Sequence, residues 1–596
     1  MGIASTPDED STLSEMMPVD VLPASNGEFI PPPVTEAQLR IMQMQNEAAE
    51  DLRRKMGLSR RSFVRSAAAY SIGLWAISQV MPGKFGSYAA ANPPGTGACQ
   101  LEWPGAQLAN LPGEFIFDVQ SHHIDAEGMW RVNNPGFHVV FMALWEQSGP
   151  LGGFPGTYKD GKPHGFGRGG ELDPIQNLSR FHYMKELYLD SSTNMTVLSA
   201  VPSSPEQQPL PIIEAAQTVD VVNKLAKSQR AVMHAFVMPN RGSGGGNTKG
   251  VTPLFQQDEF DLLEHNVVSL GSRLRGWKVY TPWGDVPNSS GWFLDDEIGM
   301  AFLNQVRHLV KTKGGPNVVA CHKGFALPAF DQRTASPRDV GPAARQNPDI
   351  NFIVYHSGFD NETQTEYPGD DKVNSSDRGV NSLIKTLREQ GWDASRFVQP
   401  GMAHGNVPNV WAEIGATMRS VMSSPDELAH LLGKLITHVG PQRVVWGTDS
   451  LWFGSPQAVI VALRGFKMSA KAREMYNLPY GLDGDRFDPR INALDAHNYT
   501  HKHPHIKDWP TDGKSHPERT IRNGIFGRNA AVPYKVDPDA SRLKIKCDDV
   551  EKVRESLLLR AGSEREISPA ASNRILGPRN ARETMALTWP NAPWAP

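Results

Sequence analysis

Eight short apolar runs recur along the chain, and each stops on polar or small residues. They are FIFDV (115–119), MTVLSA (195–200), AVMHAFVM (231–238), GWKVY (276–280), NVVAC (317–321), NFIVY (351–355), NVWAE (409–413) and RVVWG (443–447). Each is continuously hydrophobic rather than alternating, the pattern of strands buried on both faces. Helical patterns separate several of them. PLPIIEAAQTVDVVNKLAKSQ starts after prolines, and SSPDELAHLLGKLITHVG has a serine to cap it, a proline in its first turn, early acids and a closing glycine. Eight β–α repeats predict an α/β fold of the (β/α)8 TIM-barrel kind with long loop insertions, in preference to an open doubly wound sheet.

The insertions fall after strands, where such a barrel carries its catalytic face. GPLGGFPGTYKDGKPHGFGRGG (149–170) follows the first strand and RGSGGGN (241–247) the third, while the stretch from about 470 to 520 extends the loop after the eighth. These are candidate lids and pocket walls. The organisation expected is a leader over 1–91, a barrel over 92–540, and a C-terminal helix with an irregular tail over 541–596.

The leader has its own signature. SRRSFVR (59–65) joins an arginine pair to a phenylalanine, SAAAYSIGLWAISQVM follows, and SYAAAN then offers small residues at Ala89 and Ala91. This resembles a twin-arginine export signal, which implies a periplasmic or secreted protein that folds before export. The competing reading is a short amphipathic helix, and the polar leader of almost sixty residues ahead of the motif is long for a signal. The apolar stretch is too short and interrupted for a membrane span.

Composition narrows the function classes. The 596 residues are 39% hydrophobic and 21% charged, with a formal net charge of -4. That balance gives no electrostatic footprint for nucleic acid or an anionic membrane, and leaves a small molecule as the expected partner. Fifty-four glycines and 47 prolines fit a loop-rich fold, and three cysteines without a Cys-x-x-Cys spacing do not make a disulfide framework.

Four strand ends carry groups suited to chemistry: DVQSHH, VVACHKG, IVYHSG and VVWGTDS. They present Gln120 and His122, then His322, His356 and Asp449. Period-two alternation puts Gln120 and His122 on one side of their strand and turns Cys321 away from whatever His322 faces. Using His123 in place of His122 would reverse its facing. Neutral imidazoles with one carboxylate suit a divalent ion such as zinc or manganese, and such a carboxylate can accept a proton from activated water. Each histidine alone reads more simply as a satisfied loop residue; their joint position at the ends of strands one, five, six and eight favours one shared site. His497, His501, His503 and His505 lie in a stretch that reads as a solvated loop. RGSGGGN lacks the lysine of a phosphate loop, and GTDSLWFGS has no nucleophile elbow. Trp283, Trp292 and Trp452 either stack on a ring substrate or pack.

The order Q-x-H, CHKG, YHSG and WGTDS resembles the amidohydrolase superfamily, in its amidohydrolase-related branch, which includes aminocarboxymuconate-semialdehyde decarboxylase-like enzymes. GWKVYTPWG, NVWAEIG and IRNGIFGRNAAVPYKVD (521–537) add to the likeness, which runs from about 115 to 537. The resemblance implies one divalent metal ion, with His122, His322 and Asp449 as ligands and His356 polarising substrate or activating water. Asp449 would also shuttle the proton. Lys278 stands where binuclear relatives carry a modified lysine, although packing serves equally, and Glu413 lines the pocket or sits in a salt bridge. Relatives often form homodimers. Gln120 departs from the family's D-x-H-x-H. Its amide oxygen coordinates as a weaker donor favouring manganese, or it lies beside a set of His122, His322, His356 and Asp449, or the barrel binds metal poorly. The function expected is a metal-dependent hydrolase of a small carboxylated, cyclic or ester/amide substrate. A non-oxidative decarboxylase and a degenerate ligand-binding barrel are the alternatives.

Overall fold

The structure is a computed structural model that describes residues 17–21, 34–57, 63, 67–88, 111–133, 178–201, 203, 207–240, 253–283, 291–325, 331–359, 379–391, 409–488 and 517–554. Eight parallel strands pair in sequence order: β1 (Phe117–Ser121), β2 (Met195–Leu198), β3 (Ala231–Val237), β4 (Leu274–Tyr280), β5 (Val318–His322), β6 (Asn351–Tyr355), β7 (Val410–Glu413) and β8 (Val444–Val445). At least one helix lies between each consecutive pair, so every crossover returns the chain to the same end of the sheet. The seam between β8 and β1 is bridged by main-chain bonds. Val119 N–H donates to the Trp446 carbonyl (3.0 Å), Asp449 N–H to Gln120 (2.9 Å), His122 N–H to Ser450 (2.5 Å) and Leu451 N–H to His122 (3.0 Å). A parallel bridge joins Ser121 to Ser450. The predicted TIM barrel is therefore the fold.

The uninterrupted hydrophobicity of the strands has a direct cause. One set of side chains, including Phe117, Val119, Val197, Val232, Ala320, Ile353, Tyr355, Trp411 and Val445, fills the barrel interior, closed by Tyr534 from the chain's later helical turns. The alternate set, including Val319, Cys321, Phe352, Val354, Val279 and Trp446, packs outward against the helices. Cys321 belongs to this outer layer, turned away from the barrel axis as alternation predicts. Helix Pro538–Ile545 is capped by Asp537, and a further helical stretch at 549–554 lies in the part of the chain expected to carry the C-terminal helix. Between them, Asp548 makes a buried ion pair with Arg230 (2.5 Å), tying this end of the chain to the turn before β3.

The segment ahead of the barrel is packed rather than separate. Helix Glu36–Met56 lies against helix Ala67–Val80, whose Leu74, Ala76 and Ile77 join the main core. Strand Gly86–Tyr88 pairs antiparallel with Phe466–Met468. The N–H groups of Lys84, Phe85 and Gly86 converge on the Asp426 carboxylate at 3.0, 2.6 and 3.1 Å, and Tyr88 donates to the Met422 carbonyl at 2.6 Å. A side chain at Gly86 would begin 2.1 Å from the Pro425 carbonyl oxygen, so the strand can approach only as glycine. Ser424 occupies the cap position of helix Pro425–His438 but makes no capping bond; the early acid Asp426 holds the N-terminal arm instead. Arg60 and Arg61 of the expected export motif, and Ala89 to Ala91, lie outside the described residues. Among the described residues no helix is long and apolar enough to cross a membrane.

A chain starting at residue 92 loses this strand and the three bonds to Asp426. Its unfolding midpoint, measured by scanning calorimetry, is expected to fall by at least about 5 °C relative to the full chain. An unchanged midpoint would mean that the arm adds nothing to the fold.

Candidate active site

Each strand of a parallel barrel ends on the same rim, so the polar residues that stop the apolar runs are brought together there. Gln120, His122, His322, His356 and Asp449 all stand at this rim and all are buried. Asp449 Oδ1 lies at the centre of the contacts. It is 2.8 Å from Gln120 Nε2, which donates to it, and 3.1 Å from His122 Nε2. Gln120 Nε2 also lies 3.4 Å from His356 Nε2. The His322 ring meets His356 edge-on, with centroids 4.8 Å apart, and stacks on Tyr280 at 3.9 Å.

Simple alternation from the interior residues Phe117 and Val119 would turn Gln120 outward. The β1–β2 register shifts between Asp118 and Ser121, and this irregularity re-aims the strand end. Asp118 fixes the irregularity by accepting from Gln120 N–H (3.0 Å) and from the Thr448 hydroxyl across the seam. His123 points away, bonded to Thr218 (2.9 Å) and packed on Tyr183. Two other site residues sit in strained backbone. His356 has φ 60° and Asp449 φ 57°, a left-handed conformation costing a non-glycine residue about 1–2 kcal/mol. Such strain persists where surrounding contacts over-determine it.

Hydrogen-bond partners fix the protons. The Ser199 carbonyl only accepts, so His122 Nδ1, 2.8 Å away, carries a hydrogen. His122 Nε2 then faces a carboxylate oxygen, and the contact is attractive only with a proton or a cation on that side. For Asp449, burial alone would raise the pKa. The His122 contact and the Lys278 charge outweigh it and hold the carboxyl below its ordinary range. Burial, with help from Lys278, pushes His356 down to about 3 and His322 well below the usual imidazole range. The Phe325 carbonyl, 2.5 Å from His322 Nε2, places the hydrogen on that nitrogen. Lys278 lies inside the barrel, its ammonium 3.8 Å from the centre of the Tyr355 ring. Trp452 stacks on His122 (5.5 Å), whereas Trp292 is a packing residue against Phe302. His497, His501, His503 and His505 and the insertions at 149–170 and 241–247 lie outside the described residues.

Whether these groups suit a divalent cation turns on Gln120. Among the described residues no three histidine, cysteine, aspartate or glutamate side chains form a metal-holding group. The side chains of His122 and Gln120 stand within 3.1 Å of Asp449 Oδ1. Gln120 Oε1 is buried and makes no hydrogen bond among the described residues. A half-turn of the amide would bring this oxygen toward Asp449, where a cation or a proton between the two oxygens would relieve their repulsion. The 2.8 and 3.1 Å separations about Asp449 Oδ1 are those of ordinary hydrogen bonds. The donor set fits.

Glu413 was not separable from an ordinary strand-end carboxylate by sequence. Its carboxylate accepts from the backbone N–H groups of His356 (2.8 Å) and Gly415, and burial pushes it up to about 8 despite them. The only advance signal was its position at the end of the seventh apolar run.

No family model matches the chain, and no curated protein is similar to it. Among solved structures, a 2,6-dihydroxybenzoate decarboxylase complexed with 2,6-dihydroxybenzoate aligns over 50% of this chain and 86% of its own, at 14% identity and a TM-score of 0.28. A 2,6-dihydroxybenzoate decarboxylase from Rhizobium aligns over the same shares at 15% identity and a TM-score of 0.26. Likeness at this level decides nothing about activity, and the fold rests on the strand order itself.

Burial lowers the pKa of His123 from 6.5 to about 4. The unfolded chain therefore takes up a proton first as pH falls, and stability present above pH 6.5 is lost on the way down to about 4. Replacing His123→Gln should flatten the loss by about 3 kcal/mol, as measured by urea unfolding across that window. An unaltered pH slope would contradict the assignment of a buried, neutral ring.

Proposed function

We propose that the barrel is a metal-dependent hydrolase of the amidohydrolase type, acting on a small carboxylated, cyclic or ester/amide substrate. One observation carries the reading: at the rim, Asp449 accepts simultaneously from Gln120 at 2.8 Å and faces His122 at 3.1 Å, so a carboxylate base stands among metal-type donors. The order of the motifs along the chain supports the same reading. His122, Asp449 and Gln120 would hold one divalent cation, and its chemistry would be Lewis-acid polarisation of an oxygen and acidification of water. The amide is a weaker donor than a second imidazole and tilts the preference toward manganese over zinc.

The chain's own groups then have distinct tasks. Asp449, ionised, takes the proton from the attacking water. His356 is neutral, so it offers one N–H to the oxyanion that develops at the substrate carbonyl without adding a charge that would repel a cation. Ser199 holds the His122 ring through its carbonyl, fixing which nitrogen faces inward. Trp452, stacked on His122, gives one apolar wall.

The test is turnover of an ester, lactone and amide panel by manganese-loaded protein in 18O-labelled water. One labelled oxygen per product is expected, and Asp449→Asn should lower kcat/KM by about 10²–10⁴-fold. Release of carbon dioxide from carboxylated substrates without label would replace hydrolysis by decarboxylation. An Asp449→Asn protein as active as the parent would remove the proposed base.

A further inference from the structure

We infer that Glu413 is a positioning residue: its carboxylate clamps the backbone corner that aims the His356 imidazole into the site. The inference deepens the proposed function and rests on the role given there to His356. Three successive residues, His356, Ser357 and Gly358, have φ of 60°, 54° and 62°. Only the third is glycine, so the first two need external restraint. The restraint comes from the end of β7 and the turn beyond it. Glu413 Oε2 receives His356 N–H at 2.8 Å, and Oε1 receives Gly415 N–H. The Ser357 hydroxyl donates to the Glu413 carbonyl at 2.7 Å, and the Thr417 hydroxyl to the His356 carbonyl at 2.8 Å. Both peptide groups of His356 and the side chain after it are thus tied to residues 413–417.

The room for this carboxylate is made by glycine. A Cβ at Gly447 would lie 2.3 Å from Glu413 Oε1 and 3.0 Å from the Gln120 Cβ, and one at Gly415 would lie 2.5 Å from the same Oε1. Gly447 stands two residues before Asp449, so the carboxylate fills the space between the His356 corner and the strand that delivers the base. A carboxamide of the same shape does not substitute: Gln at 413 keeps one acceptor oxygen and sets its NH2 against a backbone N–H.

The experiment compares the manganese-loaded parent with Glu413→Gln and with Gly447→Ala, which displaces the same carboxylate without altering it. Two readouts are taken. In ion-free protein labelled at histidine 13Cε1, the His356 signal, assigned through His356→Asn, is expected to shift or split in both variants while that of His123 stays in place. On the best substrate of the hydrolysis panel, kcat is expected to fall about 10–100-fold with KM within about twofold. A His356 signal unchanged in both variants would overturn the inference, whatever happens to thermal stability. A moved His356 signal in a protein that hydrolyses nothing would uphold the clamp and reject the hydrolase reading. Should Glu413→Gln fail to fold, Gly447→Ala carries the same two readouts.

Discussion

The seam between the first and last strands is the constraint on which the site depends. β8 is only two residues long, so the barrel closes there through loop backbone rather than a regular ladder. Five main-chain bonds between residues 119–122 and 446–451 do the closing. The same bonds fix Gln120, His122 and Asp449 relative to one another, because each of the three contributes backbone to the seam. Asp118 reinforces it from inside by accepting from Gln120 N–H and the Thr448 hydroxyl. Site geometry and barrel closure are therefore a single structural problem, and strain at Asp449 is the cost of solving both with one turn.

Much of the fold was legible because it follows from burial. Eight doubly buried strands must be apolar throughout, and the runs read that way fall on the eight strands in order. Their ends were less legible: the first run starts at Phe115, whereas β1 begins at Phe117, since apolar content does not separate a strand from the turn feeding it. Alternation gave Cys321 its outward facing correctly. It could not foresee the register shift in β1, which depends on the Asp118 side chain bonding its own strand and on Thr448, 330 residues away. Glu413 was harder still. Its partners are backbone N–H groups, which every residue type supplies, so no residue pattern marks them. His322 was read as a metal ligand, but its Nε2 lies 2.5 Å from the Phe325 carbonyl, a local loop contact that motif order does not encode.

The N-terminal arm carries a different lesson. Its apolar helix has the composition of an export signal and also that of a helix buried against a barrel, because both are selected for apolar surface. In this structure Asp426 and the Phe466–Met468 strand receive the arm through specific bonds. Processing at Ala89 to Ala91 would cut the chain just beyond that docked strand.

Gln120 is where the departure from a D-x-H-x-H pattern and the structure meet. An imidazole there would complete a strong donor set alone; an amide must turn its oxygen inward and be held there by the ion. The most direct measurement is an anomalous-diffraction map of crystals soaked in manganese. The account predicts a peak at the rim within coordinating distance of Gln120 Oε1, His122 Nε2 and Asp449 Oδ1, with the amide turned from its ion-free orientation. A peak bound without Gln120, or none at this rim at saturating manganese, would contradict it.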